Sequence, residues 1–597
     1  MDRMISENNT KVLKGGEFLV KETNYKTNFI PEDINEDQRL IRDTVRDFVE
    51  YEIWKRGAVL EDQQSLLEIA ANLGLLGAHI PTMYGGVELD THSNTIISEE
   101  LGAGDASFNT TIAAHTGIGM LPILYFGTEE QKMKFLPGLS NGQLKASYCL
   151  TEPSSGSDAL SAKTKAILDS SREFYVLNGQ KMWITNAGFA DIFIVFAQVD
   201  GDKFTGFIVE KGTEGLTLGQ EEHKLGIKGS STRQVFLENV KVSAENVLGE
   251  VGKGHLIAFN VLNIGRYKLG AMAMGGCKRC ISLGVKYANE RFQFQKAISN
   301  YGAIQYKIAE SAIRVFALES TIYRVSDLME KKKNEELANG MDFGKAMLEA
   351  AEEYAVECAI IKINGSEVLD YVVDELLQIH GGYGYSEEYL PARLYRDARI
   401  NRIYEGTNEI NRMLCINMIL KRALKGELDL VGPAWAVQKE LTGIPSFEFP
   451  QVAFGIEIRT LQDFKKILLM VAGAAVKYQM DGKHDLKEQQ EVLMNIADIV
   501  IDLYNSESLL LRVQKLNENK NQEEISPFIA MLKVFINDAQ SRIIKNAQDA
   551  LTSFALGDEL KVMLMGLKRF SRYETINAKE YRRIVAQHII KANSYCY

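Results

Sequence analysis

Gln378-Ile-His-Gly-Gly-Tyr-Gly-Tyr385, Tyr395-Arg-Asp-Ala-Arg-Ile400 and Ile403-Tyr-Glu-Gly-Thr-Asn-Glu-Ile-Asn-Arg412 succeed one another in a single stretch whose centre is a carboxylate, Glu405. Gly406 lets the backbone there approach a ligand closely. Thr407 is a good N-cap for the apolar run Ile410, Leu414 and Met418, so a helix is expected to start just after the carboxylate. A carboxylate on a tight turn at a helix start is a candidate general base; a surface turn residue is the competing reading. Arg396, Asp397 and Arg399, between the two glycine-bearing segments, read as a structural charge network.

Working outward, 597 residues are too many for one core and suggest three or four domains. With 46% hydrophobic and 25% charged residues the chain is globular. Its net charge of −11 gives no electrostatic reason to bind nucleic acid, whose affinity for proteins is mostly cation-driven. Six scattered cysteines fit a reducing compartment, and the lone CxxC, Cys277 and Cys280, lies in a small-residue helical stretch with no second pair to complete a metal site. The N-terminus carries acidic residues and no apolar h-region. The apolar run Ile467 to Val476 falls short of the roughly 20 residues that span a bilayer. The expectation is a cytoplasmic protein.

Along the chain the hydrophobic period changes three times. Residues 1–33 are polar and read as an irregular arm. Residues 34–146 are helical, with Leu40, Ile41, Val45, Phe48 and Val49 at spacings of three and four, and with a stretch from Ile112 to Gly119 whose small side chains leave space beside the helix. Residues 147–250 change to short β-rich runs, among them Asp191 to Val199, Thr205 to Val209, Leu216 to Leu218 and Gln234 to Leu237, with Asn178-Gly179 expected to form a hairpin turn. Residues 251–430 return to the helical period, and Glu352, Glu353, Glu357 and Lys362 look like solvated helix faces. Gly432-Pro and Gly443-Ile-Pro-Ser-Phe-Glu-Phe-Pro450 then form a connection to 431–597, again helical. The expected fold is mainly α with a central small β domain, a sheet or barrel, plus an appended C-terminal helical domain.

Tyr148-Cys-Leu-Thr-Glu-Pro-Ser-Ser-Gly-Ser-Asp158 opens the β segment, Lys181-Met-Trp-Ile-Thr-Asn186 follows within it, and Ile403-Tyr-Glu-Gly-Thr-Asn408 closes the helices behind it. By these motifs, in this order, residues 35 to 425 resemble the acyl-CoA dehydrogenase family, and the added helical segment is similar to the extension of its very-long-chain branch. Read by itself, the first loop offers backbone N–H groups and hydroxyls suited to a flavin edge or a phosphate. The second motif sets an indole and a hydroxyl two apart on one face of a strand.

The resemblance implies FAD as cofactor, held by Tyr148, Leu150, Thr151, Gly156, Ser157, Trp183, Ile184, Thr185, Arg291, Gln293, Gln378, Ile379, Gly381, Gly382, Thr407 and Asn408. It implies that Trp183 covers the flavin ring and that Arg291 reaches its pyrophosphate, often across a subunit boundary; the chain departs from the family in having Gln295 where glycine is usual. His380 reads as a packing residue. For acyl-CoA the resemblance implies Ser157, Asn263, Arg266, Tyr404 and Gly406, with Arg266 expected at a helix start, and Glu405 as the base that takes the α proton. The thioester carbonyl is then expected to be polarised by the Glu405 backbone N–H and a ribityl hydroxyl. The expected reaction is α,β-dehydrogenation to trans-2-enoyl-CoA, with electrons passed to an electron-transfer flavoprotein; an oxygen-using acyl-CoA oxidase and a non-catalytic flavoprotein are the alternatives. Asn109 and Ala113 suggest a deep acyl tunnel. A homodimer is expected, and the runs Leu468-Leu-Met-Val and Phe528 to Ile536 leave room for peripheral membrane contact.

Overall fold

The computed structural model describes residues 12–441, 443 and 449–597, and in it helices precede and follow one central sheet. The leading helices start at Glu36–Phe48. Asn35 caps it by accepting from the Gln38 N–H at 2.9 Å, while the Gln38 side chain accepts from the Asn35 N–H at 3.1 Å. Thr91–Gly102, Ala106–Ala113 and Glu129–Ser140 follow, and Ala114–Gly119 continues Ala106–Ala113 as a widened π turn.

The sheet contains β1 (Ala146–Cys149), β2 (Lys165–Leu168), β3 (Phe174–Thr185), β4 (Ile192–Val199), β5 (Lys203–Glu210), β6 (Leu216–Leu218), β7 (Thr232–Ser243) and β8 (Val247–Leu248). Their order is β6-β7-β3-β2-β4-β5-β8, with β1 parallel to β4. β4 shows why the sheet can sit between two cores. Phe193, Val195 and Ala197 point into the sheet's own core, while Ile192, Ile194 and Phe196, on the opposite face, join the apolar core of the helices.

The expected hairpin at Asn178-Gly179 is not there. β3 runs straight through both residues, and the ladder with β7 slips at this point: Leu177 pairs with Val240 but Gly179 with Leu237. The glycine is needed for close approach rather than reversal, since a Cβ on Gly179 would lie 2.7 Å from the Thr164 Cα. Asn178 accepts from the Asn239 N–H at 2.8 Å, so its side chain serves the bulge.

Behind the sheet come the long helices Gly254–Glu290, Gly302–Ala338 and Ala355–His380, with Phe343–Glu353 and Asn408–Leu424. The small-residue stretch around Cys277 is explained by crossings on two sides. A Cβ on Gly365 would stand 2.9 Å from the Gly270 Cα, and one on Gly275 would collide with the Glu99 carbonyl. Cys277 and Cys280 are buried in these contacts, and no metal-ligand cluster occurs among the described residues. The expectation that Glu357 and Lys362 face solvent is wrong: both are buried on Ala355–His380. Glu352 is exposed, and Glu353 is half-buried against Arg422.

The C-terminal helices Gly455–Met480, Gln490–Asn519, Gln522–Phe554, Gly557–Phe570 and Ala578–Ala592 share one apolar core with the preceding helices. Buried ion pairs tie them down: Arg512 to Glu319 at 2.7 Å, Arg324 to Glu507 at 2.7 Å and Arg582 to Glu310 at 2.6 Å. The two runs read as membrane-facing are core. Leu468, Val471, Met531, Leu532 and Val534 are buried, and no described helix is long and apolar enough to cross a membrane. The arm is irregular, but it is built in: Phe18, Leu19 and Ile30 are buried, and the Gly16 N–H donates to Glu357 at 2.8 Å. Residues 444–448 of the Pro/Gly-rich connection and the N-terminal residues 1–11 lie outside the described residues.

Candidate active site

Glu405 sits on the turn between the 3-10 segment Arg399–Arg402 and the helix Asn408–Leu424, which Thr407 caps by accepting from the Ile410 N–H at 3.2 Å. The turn is held in an uncommon conformation. Glu405 has φ +59° and Gly406 φ +78°, so one residue with a side chain and one without are both left-handed. Three groups hold it there. Asn411 donates to the carbonyls of Gly406 (2.8 Å) and Thr407 (3.0 Å), Lys362 donates to the Gly406 carbonyl at 2.7 Å, and Arg266 donates to the Glu405 carbonyl at 3.3 Å.

The Glu405 Oε2 is buried and makes no hydrogen bond. Burial pushes its carboxyl up to about 7, against the opposing pull of Arg266 and Lys362. The carboxylate lies against the helix Gly254–Glu290 at Gly265, where a Cβ would be 2.6 Å from Oε2. Glycine at 265 therefore makes room for the acid.

Glu405 lines a cavity of ≈ 140 Å³. Thr185 and Tyr404 line it too. From Glu405 the cavity follows one face of Gly254–Glu290 past Leu269, Met272 and Gly276 to Cys280, and is bounded opposite by Asn109, Ala113 and Gly117. The space expected beside Ile112 to Gly119 is thus present, and nothing stands within 4 Å of a Cβ on Gly117.

The cofactor-facing residues gather on the other side of Thr185. Trp183 is 54% exposed and has φ +61° in a bulge where β3 slips against β7 between Lys181 and Ile184. The strict alternation expected of Trp183 and Thr185 is broken by this bulge, which turns the indole outward while Ile184 stays buried. A large aromatic held in strain and uncovered is a surface prepared to stack on a flat group. Beside it, the Thr151 carbonyl accepts from the Met182 N–H at 2.9 Å, tying the loop after β1 to the bulge.

Gly156 and Ser157 of that loop are exposed, and a Cβ on Gly156 would meet nothing within 4 Å. Ser155 is not available: its hydroxyl donates to the Asp158 carbonyl at 2.7 Å and its N–H to the Glu152 carbonyl at 3.1 Å. The loop is anchored from below by the fully buried pair Lys181 and Glu152 at 2.6 Å, and Lys181 also donates to the Leu150 carbonyl at 3.3 Å. Tyr148 is buried on β1, its ring against Phe196 and its hydroxyl without a partner.

At the end of Ala355–His380, Gln378, Gly381 and Gly382 are exposed and open, while Ile379 is buried. His380 stacks on Tyr287 with ring centroids 4.0 Å apart, as a packing residue does. Arg291 and Gln293 are exposed at the end of Gly254–Glu290, with the guanidinium 5.6 Å from the Tyr383 ring. Gln295 keeps the left-handed backbone that glycine adopts freely, at φ +69°.

Three residues differ in role or place from the sequence reading. Arg266 does not begin a helix. It lies well inside Gly254–Glu290, buried, and donates to Asn263 at 2.8 Å. Asn408 is buried and its amide is spent on Lys362 (2.7 Å), Ser366 and Glu367 (3.0 Å), so it braces the turn. Asp397, read as part of a structural charge network, is buried. It accepts from the Ile227 N–H, and burial raises its carboxyl to about 6. The residue that the sequence reading missed is Lys362. Its signal was a charge inside Ala359-Ile-Ile-Lys-Ile363, where a solvated face has no reason to be.

An open loop with a free glycine, a strained uncovered indole, a glycine pair at a helix end and an unpaired acid facing a cavity together fit a flavoprotein. Family models agree. The acyl-CoA dehydrogenase N-terminal domain matches residues 35–143, the middle domain 147–240 and the C-terminal domain 252–420, and a further acyl-CoA dehydrogenase C-terminal domain matches 463–569. The chain belongs to the acyl-CoA dehydrogenase family. It is 44% identical to a probable acyl-CoA dehydrogenase of Bacillus subtilis over 98% of both chains. The very long-chain specific acyl-CoA dehydrogenase of rat mitochondria is 36% identical over 77% of this chain and 71% of its own. The crystal structure of an acyl-CoA dehydrogenase complexed with FAD from Bacillus anthracis superposes with a TM-score of 0.94 at 44% identity, covering 98% of this chain and 100% of that one. The protein is an FAD-dependent oxidoreductase of this family.

Proposed function

We propose that the chain oxidises long-chain acyl-CoA to trans-2-enoyl-CoA, with Glu405 as the base. The observation that carries this is the unpaired, buried Glu405 Oε2 lining an elongated cavity. FAD, when bound, supplies the hydride acceptor. Tyr148 to Ser157, Trp183, Thr185, Gly381, Gly382 and Arg291 are the residues to hold it.

Glu405 takes the α proton. With its carboxyl raised to about 7 it is a stronger base than an ordinary glutamate yet still ionises near neutral pH. Arg266 and Lys362 fix the turn from below, and Gly265 sets how near the acid comes to the cavity. The Glu405 backbone N–H has no acceptor among the described residues, so it is free to polarise a thioester carbonyl.

The long-chain reading rests on cavity length. Its lining runs along the helix from Gly265 to Cys280, about 22 Å at the α-helical rise. An extended chain covers roughly 1.2 Å per bond, so a tail of about 16 to 18 carbons matches it. Electron-transfer flavoprotein is the acceptor we assign, from the family resemblance, and a homodimer the assembly. Anaerobic bleaching of the flavin by acyl-CoAs of graded length tests the reading: rates should climb to long chains, and a maximum at four to six carbons, roughly a third of that reach, would refute it.

A further inference from the structure

We propose that Lys268 and the small chamber behind it form a carboxylate-binding side pocket, through which the active site also accepts acyl-CoA thioesters whose tail ends in a carboxylate. The inference rests on the dehydrogenase reading above and adds a second substrate class to it.

Lys268 is buried on the cavity-facing side of Gly254–Glu290, only 6% exposed, and has no hydrogen-bond or ion-pair partner among the described residues. It lines the substrate cavity and also a second chamber of ≈ 30 Å³, where His79, Asn94, Ser98 and Lys333 are set among apolar side chains such as Leu89, Ile264 and Met329. That volume holds about two waters, or the two oxygens of one carboxylate.

No acid of the protein occupies the chamber. Lys333 is paired with Glu330 at 2.9 Å, and His79 is kept neutral by burial. The carboxylates of the larger cavity are already assigned: Asp397 accepts from the Ile227 N–H, and Glu405 faces the reacting carbons. An ammonium buried without a counter-charge is costly, and an anion restores most of what desolvation took. A neutral hydroxyl restores far less. Straight tails are still accommodated, because burial brings the Lys268 ammonium down to about 7 and lets it pass its proton to water.

Position sets the length. Gly265 abuts the Glu405 carboxylate, and Lys268 lies three residues further on, about 4.5 Å along the axis. With the reach of an extended lysine, the matching tails are dicarboxylyl chains of about six to ten carbons.

The test uses the FAD-loaded enzyme and its Lys268→Met and Lys268→Arg variants. Adipoyl-, suberyl- and sebacoyl-CoA are each set against the monocarboxylic thioester of equal length, with kcat/KM and anaerobic flavin bleaching as readouts. In the wild type one diacid should come within about tenfold of its partner, and Lys268→Met should lower that ratio by about thirtyfold or more, the usual scale for removing one member of a buried charge pair. Lys268→Arg should restore most of the ratio. An unchanged ratio in Lys268→Met overturns the proposal. So does a wild type bleached by monocarboxylic thioesters and by none of the diacids, a wild-type result that stands whether or not the variants fold. If no thioester of either kind bleaches the flavin, the dehydrogenase reading itself fails and the side pocket fails with it.

Discussion

Glu405→Gln should do two opposite things: nearly abolish turnover and make the protein more stable above neutral pH. Both follow from one number. The Glu405 carboxyl is raised from 4.5 to about 7, chiefly by burial. A shift of that size corresponds to about 3 kcal/mol of native-state cost when the group is ionised.

The sign follows from proton binding. Between pH 4.5 and 7 the folded chain keeps a proton that the unfolded chain has released, so stability falls as pH rises through this window. The loss is complete above 7. At pH 4 both states are protonated and the cost is absent. Glutamine removes the charge, keeps the shape, and inherits the same strain at φ +59°. Thermal unfolding of the FAD-loaded proteins should therefore show the variant ahead of wild type at pH 8, by several degrees at the roughly 2–4 °C per kcal/mol of a domain of 150–250 residues, with the gap closing near pH 4.5.

In the same samples kcat should drop about 10²- to 10⁴-fold with flavin content kept. Wild-type kcat/KM should rise with pH through about 7, as the base ionises. A variant within tenfold of wild-type kcat, or a stability gap that is the same at both pH values, would refute the reasoning.

Further outcomes follow from neighbouring residues. Gly265→Ala places a Cβ 2.6 Å from the Glu405 Oε2 and should cost about a hundredfold in kcat while FAD stays bound, since a displacement of about 1 Å is worth that much; an unchanged kcat would place the acid elsewhere. Gly117→Leu fills open space in the cavity wall and should move the preferred acyl chain to shorter lengths in a bleaching series, without loss of flavin. Lys181→Met leaves Glu152 as a lone buried charge beneath the cofactor loop and should cost about 3–5 kcal/mol, read as a lower unfolding midpoint with flavin released early.

Much of this site was legible before any fold was known, because the chemistry is written in contiguous motifs. Glu405-Gly406-Thr407 announced a strained turn ahead of a capped helix, and the helix–strand–helix order gave the architecture through the change of hydrophobic period. The failures share a cause. Asn178-Gly179 has turn chemistry, but the same two residues serve a bulge when a third strand needs close approach, and only the Thr164 backbone beside Gly179 reveals that. Lys362 and Glu357 have the composition of a wet helix face. They are buried because Ala355–His380 is covered by Gly254–Glu290, Gly302–Ala338 and Asn408–Leu424.

The apolar runs Leu468 to Val471 and Phe528 to Ile536 carry the same hydrophobic stripe whether they meet lipid or protein, and it is the core they join that decides. What the sequence by itself determined is therefore what is local: the turn that carries Glu405, its cap, the loop after β1 and the order of helical and β segments. What the tertiary structure decided is what depends on neighbours distant in the chain. Glu405 has its raised carboxyl because elements distant in the chain bury it, against the opposing pull of Arg266 and Lys362 on two other helices, and Lys268 is a free cation because no acid among the described residues reaches it. Desolvation and charge pairing act through space, and no spacing along a chain encodes them.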